Sequence, residues 1–221
     1  MSDDGFIREV NEEIRQDQMK ALWWRYGPAA IVIAVLAVLG TAVYVGYDYW
    51  QQTRANRSGD AFSQALELAN QGRSDEALAA LEELQKTGHG AYPLLARMRA
   101  ATVLADKGDY EGAVTAFDEV ANDRSVPEAI RDVARMRAGL ILVDHGSYED
   151  VSSRVEELAV DTNPMRHTAR EALGLAAWKA GRLKDAMNLF EQIENDAEAP
   201  ANARQRAGTM TELIAGSTSS S

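Results

Sequence analysis

The sequence predicts an all-α protein in which a single N-terminal transmembrane helix is followed by a solenoid of helical hairpins. Two observations carry this prediction. One apolar stretch, from Tyr26 to Tyr47, contains no charged residue. Beyond it four glycines, Gly72, Gly108, Gly146 and Gly181, recur at intervals of 36, 38 and 35 residues, a period that belongs to stacked helix pairs. The expected layout is a cytoplasmic N-terminal segment over 1–25, a transmembrane helix over 26–47, a linker or helix extension over 48–58, a repeat domain over 59–215 and a disordered tail over 216–221.

In the first segment, "FIREVNEEIRQDQMKALW" places Phe6, Val10 and Ile14 at helical spacing between mixed charges, which reads either as a short amphipathic helix or as a frayed tail. The stretch that follows, "YGPAAIVIAVLAVLGTAVYVGY", is long enough at about 1.5 Å per residue to cross a hydrocarbon core of about 30 Å. Trp23, Trp24 and Tyr26 stand before it, and Tyr44, Tyr47, Tyr49 and Trp50 stand at its far end. Aromatics at both ends are expected where a span meets two headgroup layers, and a buried core helix has no use for them. A cleaved signal peptide is the main rival, but its apolar region is only about 7 to 15 residues long and closes on small residues. Here the run continues into "YDYWQQTRANR".

Orientation follows from the flanking cations. Arg15, Lys20 and Arg25 precede the span and Arg54 and Arg57 follow it, which favours a cytoplasmic N-terminus and places the bulk of the chain outside the cytoplasm. Ala30, Ala34, Ala37, Gly40 and Thr41 give the span small residues through which another membrane helix can approach closely.

The repeat region is organised in columns around its glycines. Seven residues before each stand Ala65, Ala101, Gly139 and Gly174, and five after stand Ala77, Ala113, Val151 and Ala186. Nine after stand Leu81, Phe117, Val155 and Phe190, and twelve after stand Leu84, Val120, Leu158 and Ile193. Small residues let two helices close on each other, while the larger apolar ones, three apart, share one helix face. Each glycine then turns the chain between a first and a second helix. Glu76, Asp150 and Asp185 fall in the first turn of a second helix, where negative charge opposes the helix dipole. Pro93, Pro127, Pro164 and Pro200 fall near the start of the next first helix, as a residue tolerated only in an opening turn should.

These residues resemble tetratricopeptide repeats. In "ADKGDYEGAVTAFDEV" the matching positions are Ala101, Gly108, Ala113, Phe117 and Val120, and in "AWKAGRLKDAMNLFEQI", with the preceding Gly174, they are Gly181, Ala186, Phe190 and Ile193. The third copy departs from the pattern, because Val151 replaces the usual small residue in "DHGSYEDVSSRVEEL" and is expected to loosen or displace that helix contact. The first-helix aromatic is also missing, with Ala61, Arg97 and Arg170 in its place. The whole layout is similar to the bacterial YfgM-like proteins, ancillary subunits of the Sec translocon, over nearly all of residues 5–215. The resemblance implies a bacterial inner-membrane protein, single-pass, with its repeats in the periplasm and with the SecYEG channel and a periplasmic chaperone as partners. An adaptor for envelope assembly or cell division uses the same repeats and is the alternative, although such proteins usually carry a lipobox cysteine or a cleaved signal, and neither is present here.

Composition argues against most chemistry. The 221-residue chain is 46% hydrophobic with five prolines, enough to bury a core. It has no cysteine, which excludes disulfides, thiolate zinc sites and a cysteine nucleophile. A net charge of −11 opposes nucleic-acid binding, which needs a basic footprint. His89, His145 and His167 lie in different repeats without metal-ligand spacing. The carboxylate pairs Glu82–Glu83 and Glu156–Glu157 recur at the same place in successive repeats, as a solvated helix face does. No glycine-rich phosphate loop is present. Neither an enzyme, a cofactor nor a metal is expected.

Binding is the remaining use. The first helices "YPLLARMRAATVLA", "IRDVARMRAGLILV" and "HTAREALGLAAWKA" concentrate arginines in an acidic chain. Arg97, Arg131, Arg135 and Arg170, with Met98, Met136 and Trp178, form the candidate partner-binding surface, and Arg99 and Arg137 lie in the same helices. The competing reading is that these arginines pair with acidic groups of their own or neighbouring repeats and that the methionines are inter-helix core.

Overall fold

The computed structural model describes the backbone of residues 3–219, and among the described residues it is helical with no strand. It divides into two compact units, one ending at Arg54 and one beginning at Ala55.

Helix α1 spans Asp3–Asn70 without a break, so residues 48–58 form helix rather than a separate linker. Nothing between Tyr47 and Ser58 is a glycine or proline, and side chains reinforce the turns there. Gln52 Nε2 donates to Asp48 at 2.9 Å, and Thr53 Oγ1 donates to the Tyr49 carbonyl at 2.8 Å. Within the first unit this is one helix long and apolar enough to cross a membrane, and no residue of its most apolar window is buried by protein. Pro28 lies inside it, a residue membrane helices tolerate. Ala37, Gly40 and Thr41 are exposed. Thr41 Oγ1 donates to the Ala37 carbonyl at 2.8 Å, and a Cβ placed on Gly40 would meet nothing within 4 Å. The side chains of Phe6, Val10, Ile14, Ala30 and Ala34 lie outside the described residues.

The second unit stacks hairpins. The end of α1 pairs with α2, Ser74–Thr87, through a core that joins Ala65 to Ala77, Leu81 and Leu84. Next come α3, Tyr92–Asp106, and α4, Tyr110–Asn122, then α5, Glu128–His145, and α6, Tyr148–Val155. A 3-10 turn, Glu156–Leu158, leads to α7, Arg166–Lys179, and α8, Leu183–Glu194. Helix α9, Ala201–Ser219, closes the stack, burying Ala203, Ala207 and Ile214 against the core around Phe190 and Ile193. Residues 216–219, expected in a disordered tail, are helical. Once a helix is nucleated each further residue adds a hydrogen bond, and the Ser217 hydroxyl donates to the Ile214 carbonyl at 2.7 Å. Residues 220 and 221 lie outside the described residues.

Three of the four turns share one construction. Gly72, Gly108 and Gly181 have φ of +76°, +88° and +74°. After each, the next amide reaches back five residues, from Arg73 to the Leu68 carbonyl at 3.0 Å, Asp109 to Leu104 at 2.9 Å and Arg182 to Ala177 at 2.8 Å. This left-handed cap satisfies carbonyls that the helix end leaves open. Gly146 differs. Its φ is −129° and its ψ −173°, and α6 instead opens on a capping box in which Ser147 and Asp150 bond each other's amides.

The columns now have a contact. A Cβ on Gly139 would lie 2.4 Å from Val155 Cγ1, and one on Gly174 would lie 2.9 Å from Phe190 Cζ. The residue seven before the turn therefore faces the residue nine after it within the same hairpin, and glycine stands where that partner reaches deepest. The third hairpin is not looser, as Val151 suggested. Val151 and Val155 are both fully buried, and Gly139 makes room for Val155; the departure takes the form of a short α6 that runs into the 3-10 turn.

Candidate functional site

Three of the four first helices carry an arginine eleven residues before the turn glycine, namely Arg97, Arg135 and Arg170. All three are tied down. Arg97 Nη1 donates to Asp123 Oδ2 at 2.7 Å and its Nη2 to the Glu119 carbonyl at 3.3 Å, which fastens α3 to the end of α4. Hydrogen bonds from the Ser125 hydroxyl, from Arg97 and from the Ser125 amide hold the Asp123 carboxyl at a pKa of about 2. Arg135 pairs with Asp132 of its own helix at 2.8 Å. Arg170, only 6% exposed, donates from Nε to the Ala159 carbonyl at 3.0 Å and from Nη2 to Asp161, clamping the loop that precedes α7.

The other candidates separate by burial. Met98 is partly buried against the core around Phe117. Met136 is buried with Val151, Val155 and Leu158. Trp178 is 41% exposed, and its neighbour Lys179 donates to the Val143 and Asp144 carbonyls at 3.1 and 2.6 Å, bonding the open end of α5. Arg131 is half-buried, with an Nε that has no acceptor.

A second arginine row stands two residues later, at Arg99 and Arg137, nine before the turn glycines of α3 and α5. Among the described residues neither meets a carboxylate. Arg137 Nη1 reaches from α5 to the Thr102 hydroxyl of α3 at 3.3 Å, and Arg99 Nε is buried with no acceptor. Beside Arg137 the space between α3 and α5 holds a cavity of about 420 Å³. Phe117 and Met136, both buried, form its base. Ala105, Val133, Ile141 and Met165 line its sides, and Leu140, 44% exposed, stands at its mouth. Thr102 and Arg137 supply the only polar side chains of the lining.

The structure thus brings Met136 to this cavity and directs Arg97, Arg135 and Arg170 into ion pairs. Sequence reasoning passed over Thr102, Ala105, Leu140 and Met165. The signal that separates paired from unpaired arginines was present in the spacing, since the two rows differ by two residues and so by about half a turn of helix.

A family model of the tetratricopeptide repeat-like domain matches residues 20–205, a range that takes in the apolar part of α1 as well as the hairpins. The fold and this match define a helical-repeat protein of the kind that serves as a protein-interaction module. The chain belongs to the tetratricopeptide repeat-like domain family. No curated protein and no solved structure matches it.

Proposed function

We propose that this is a membrane-anchored protein-interaction module, an ancillary subunit of the SecYEG channel that links the channel to periplasmic chaperones. The observation that carries the reading is that one matched family range joins an uncovered apolar helix to a stack of hairpins. The apolar part of α1 is the inner-membrane anchor, with the N-terminus cytoplasmic and the hairpins periplasmic. The first helices, with Met136, Trp178 and the row of Arg99 and Arg137, form the face that meets soluble partners. Small residues at Ala30, Ala34, Ala37, Gly40 and Thr41 form the surface that meets the channel within the bilayer, where hydrophobicity supplies no drive and close packing must.

Crosslinking in native membranes tests the partners, and capture of the channel is expected. Recovery only of division or outer-membrane assembly components would sink the translocon reading in favour of an envelope adaptor. Protease added to spheroplasts should digest the hairpins and spare a short N-terminal fragment, whereas full protection would reverse the topology. Replacing residues 1–50 with an unrelated N-in span should abolish copurification with the channel. Association that survives this swap but is lost on deleting residues 51–221 would move the docking surface to the hairpins.

A further inference from the structure

Resting on the reading of the first helices as a protein-binding face, we propose that the cavity between α3 and α5 receives an extended polypeptide segment in which one bulky apolar side chain is flanked by carboxylate side chains. The apolar half of this assignment follows from the lining. A cavity of about 420 Å³ falls within the range of pockets that take a ligand group. Its base is Phe117 and Met136 and its wall includes Met165, and methionine adapts to the shape of an incoming group. Leu140 at the mouth is exposed enough to close over what enters.

The charge half follows from the arginines that the fold does not use. The chain has 34 acidic and 23 basic residues, and many of its arginines meet a carboxylate. Arg97, Arg135, Arg154, Arg166, Arg170, Arg182 and Arg206 all have one. Arg137, on the cavity lining, meets only a neutral hydroxyl, and Arg99, at the same position of the preceding hairpin, keeps a buried Nε with no acceptor. A buried donor left open is a cost that an incoming carboxylate relieves, and guanidinium binds carboxylate with two parallel bonds where geometry permits.

The extended form follows from side-chain direction. In a strand, residues two apart point the same way and lie roughly 6.6 Å apart along the chain, a step comparable to the reach of an arginine side chain such as Arg137, which bridges from α5 to Thr102 of α3. An apolar residue entering between α3 and α5 therefore places the carboxylates two before and two after it over the arginine row, within reach of long side chains. An immediately adjacent carboxylate would point away.

The test uses full-length protein in lipid nanodiscs and a labelled peptide, acetylated and amidated, whose core is aspartate, serine, phenylalanine, serine, aspartate. Fluorescence anisotropy should show saturable binding. It should weaken at least tenfold when lysine replaces both aspartates, when alanine replaces the phenylalanine, or when the protein carries Arg137→Gln. Ala105→Trp, which fills the cavity, should abolish binding. Leu140→Glu, at an exposed position that does not threaten the fold, should do the same by setting a carboxylate at the mouth. The control Arg124→Gln, at an exposed residue outside the cavity lining, should leave binding unchanged. Equal binding of the lysine peptide, or wild-type affinity in Arg137→Gln and Leu140→Glu, overturns the inference. So does binding that requires a free C-terminal carboxylate in place of the flanking ones. Crosslinked partners without peptide binding overturn this inference and leave the interaction module standing, while the absence of any crosslinked partner overturns both.

Discussion

Replacing Gly139 by alanine sets two effects of known size against each other. In the interior of α5 the substitution gains about 1 kcal/mol of helix propensity. Its new Cβ would stand 2.4 Å from Val155 Cγ1, and Val155 is fully buried and β-branched, with one dominant rotamer in a helix. The methyl cannot swing aside, so overpacking of about 1–3 kcal/mol opposes the gain. The net expectation is destabilisation of up to about 2 kcal/mol. Val155→Ala alone removes two buried methyls, at about 0.8 kcal/mol each plus a cavity term. In that background Gly139→Ala meets no methyl, and the propensity gain should appear in full as stabilisation of about 1 kcal/mol. The double-mutant cycle should therefore show about 1–3 kcal/mol of coupling between the two sites. Urea unfolding of the four proteins by circular dichroism measures it, and hydrogen exchange should localise the change to α5 and α6, since hairpins in such a stack are coupled mainly to their neighbours. Equal effects of Gly139→Ala in both backgrounds would refute the claim that this column is set by the partner nine residues beyond the turn. Gly174→Ala should cost less, because the atom it meets is the far end of the Phe190 ring at 2.9 Å, which can tilt.

Other expectations follow from single contacts. Arg170→Ala should destabilise by about 1–3 kcal/mol by stripping the Ala159 carbonyl of its donor. Asp161→Ala should cost far less, because Asp161 is 90% exposed and exposed charges contribute little; similar losses in thermal melts of the two variants would contradict the assignment of Arg170 as a loop clamp. Gly72→Ala should cost about 1–2 kcal/mol from backbone strain alone, since its φ is +76° with open space around the missing Cβ; an unchanged melting temperature would refute it. Acid should unfold the hairpins in a predictable window. The folded Asp123 carboxyl titrates near 2 against an ordinary 3.8, so between those values the unfolded chain binds more protons and stability is lost as pH falls. Asp196, held lower still by His167, the Glu198 amide and Arg166, acts in the same direction. Melting temperature should drop as pH falls from about 4 to 2, and Asp123→Asn should flatten part of that drop; an identical profile in the variant would sink the assignment.

What the sequence reveals and what it hides divide along the range of the interaction. The turns of Gly72, Gly108 and Gly181 were legible because their bonds span five residues and recur three times. The proline positions were legible for the same reason, with Pro93 in the first turn of α3 and Pro127 and Pro200 just before α5 and α9. The end of the apolar stretch was not the end of the helix, because hydropathy reports the medium that suits a segment and not its backbone; the residues after Tyr47 continue α1 without a break. Gly146 looked like the other turn glycines, yet Ser147 and Asp150 supply a cap of their own, and a competing local bond is hard to weigh against a periodic signal.

The candidate site was the least legible part, since it depends on which side chains find each other across the fold. Arg97 meets a carboxylate 26 residues away and Arg154 one 36 residues away, distances over which composition gives no guidance. An acid-rich chain can satisfy almost any arginine, so concentration of arginines in the first helices does not by itself mark a surface. The column eleven before the glycine is spent on holding hairpins and loops in place, while the column nine before it, at Arg99 and Arg137, is left over. A binding surface in such a repeat is therefore defined by subtraction. The residues available to a partner are those whose charge the stack does not use, and at α5 Arg137 lines an apolar space between the first helices.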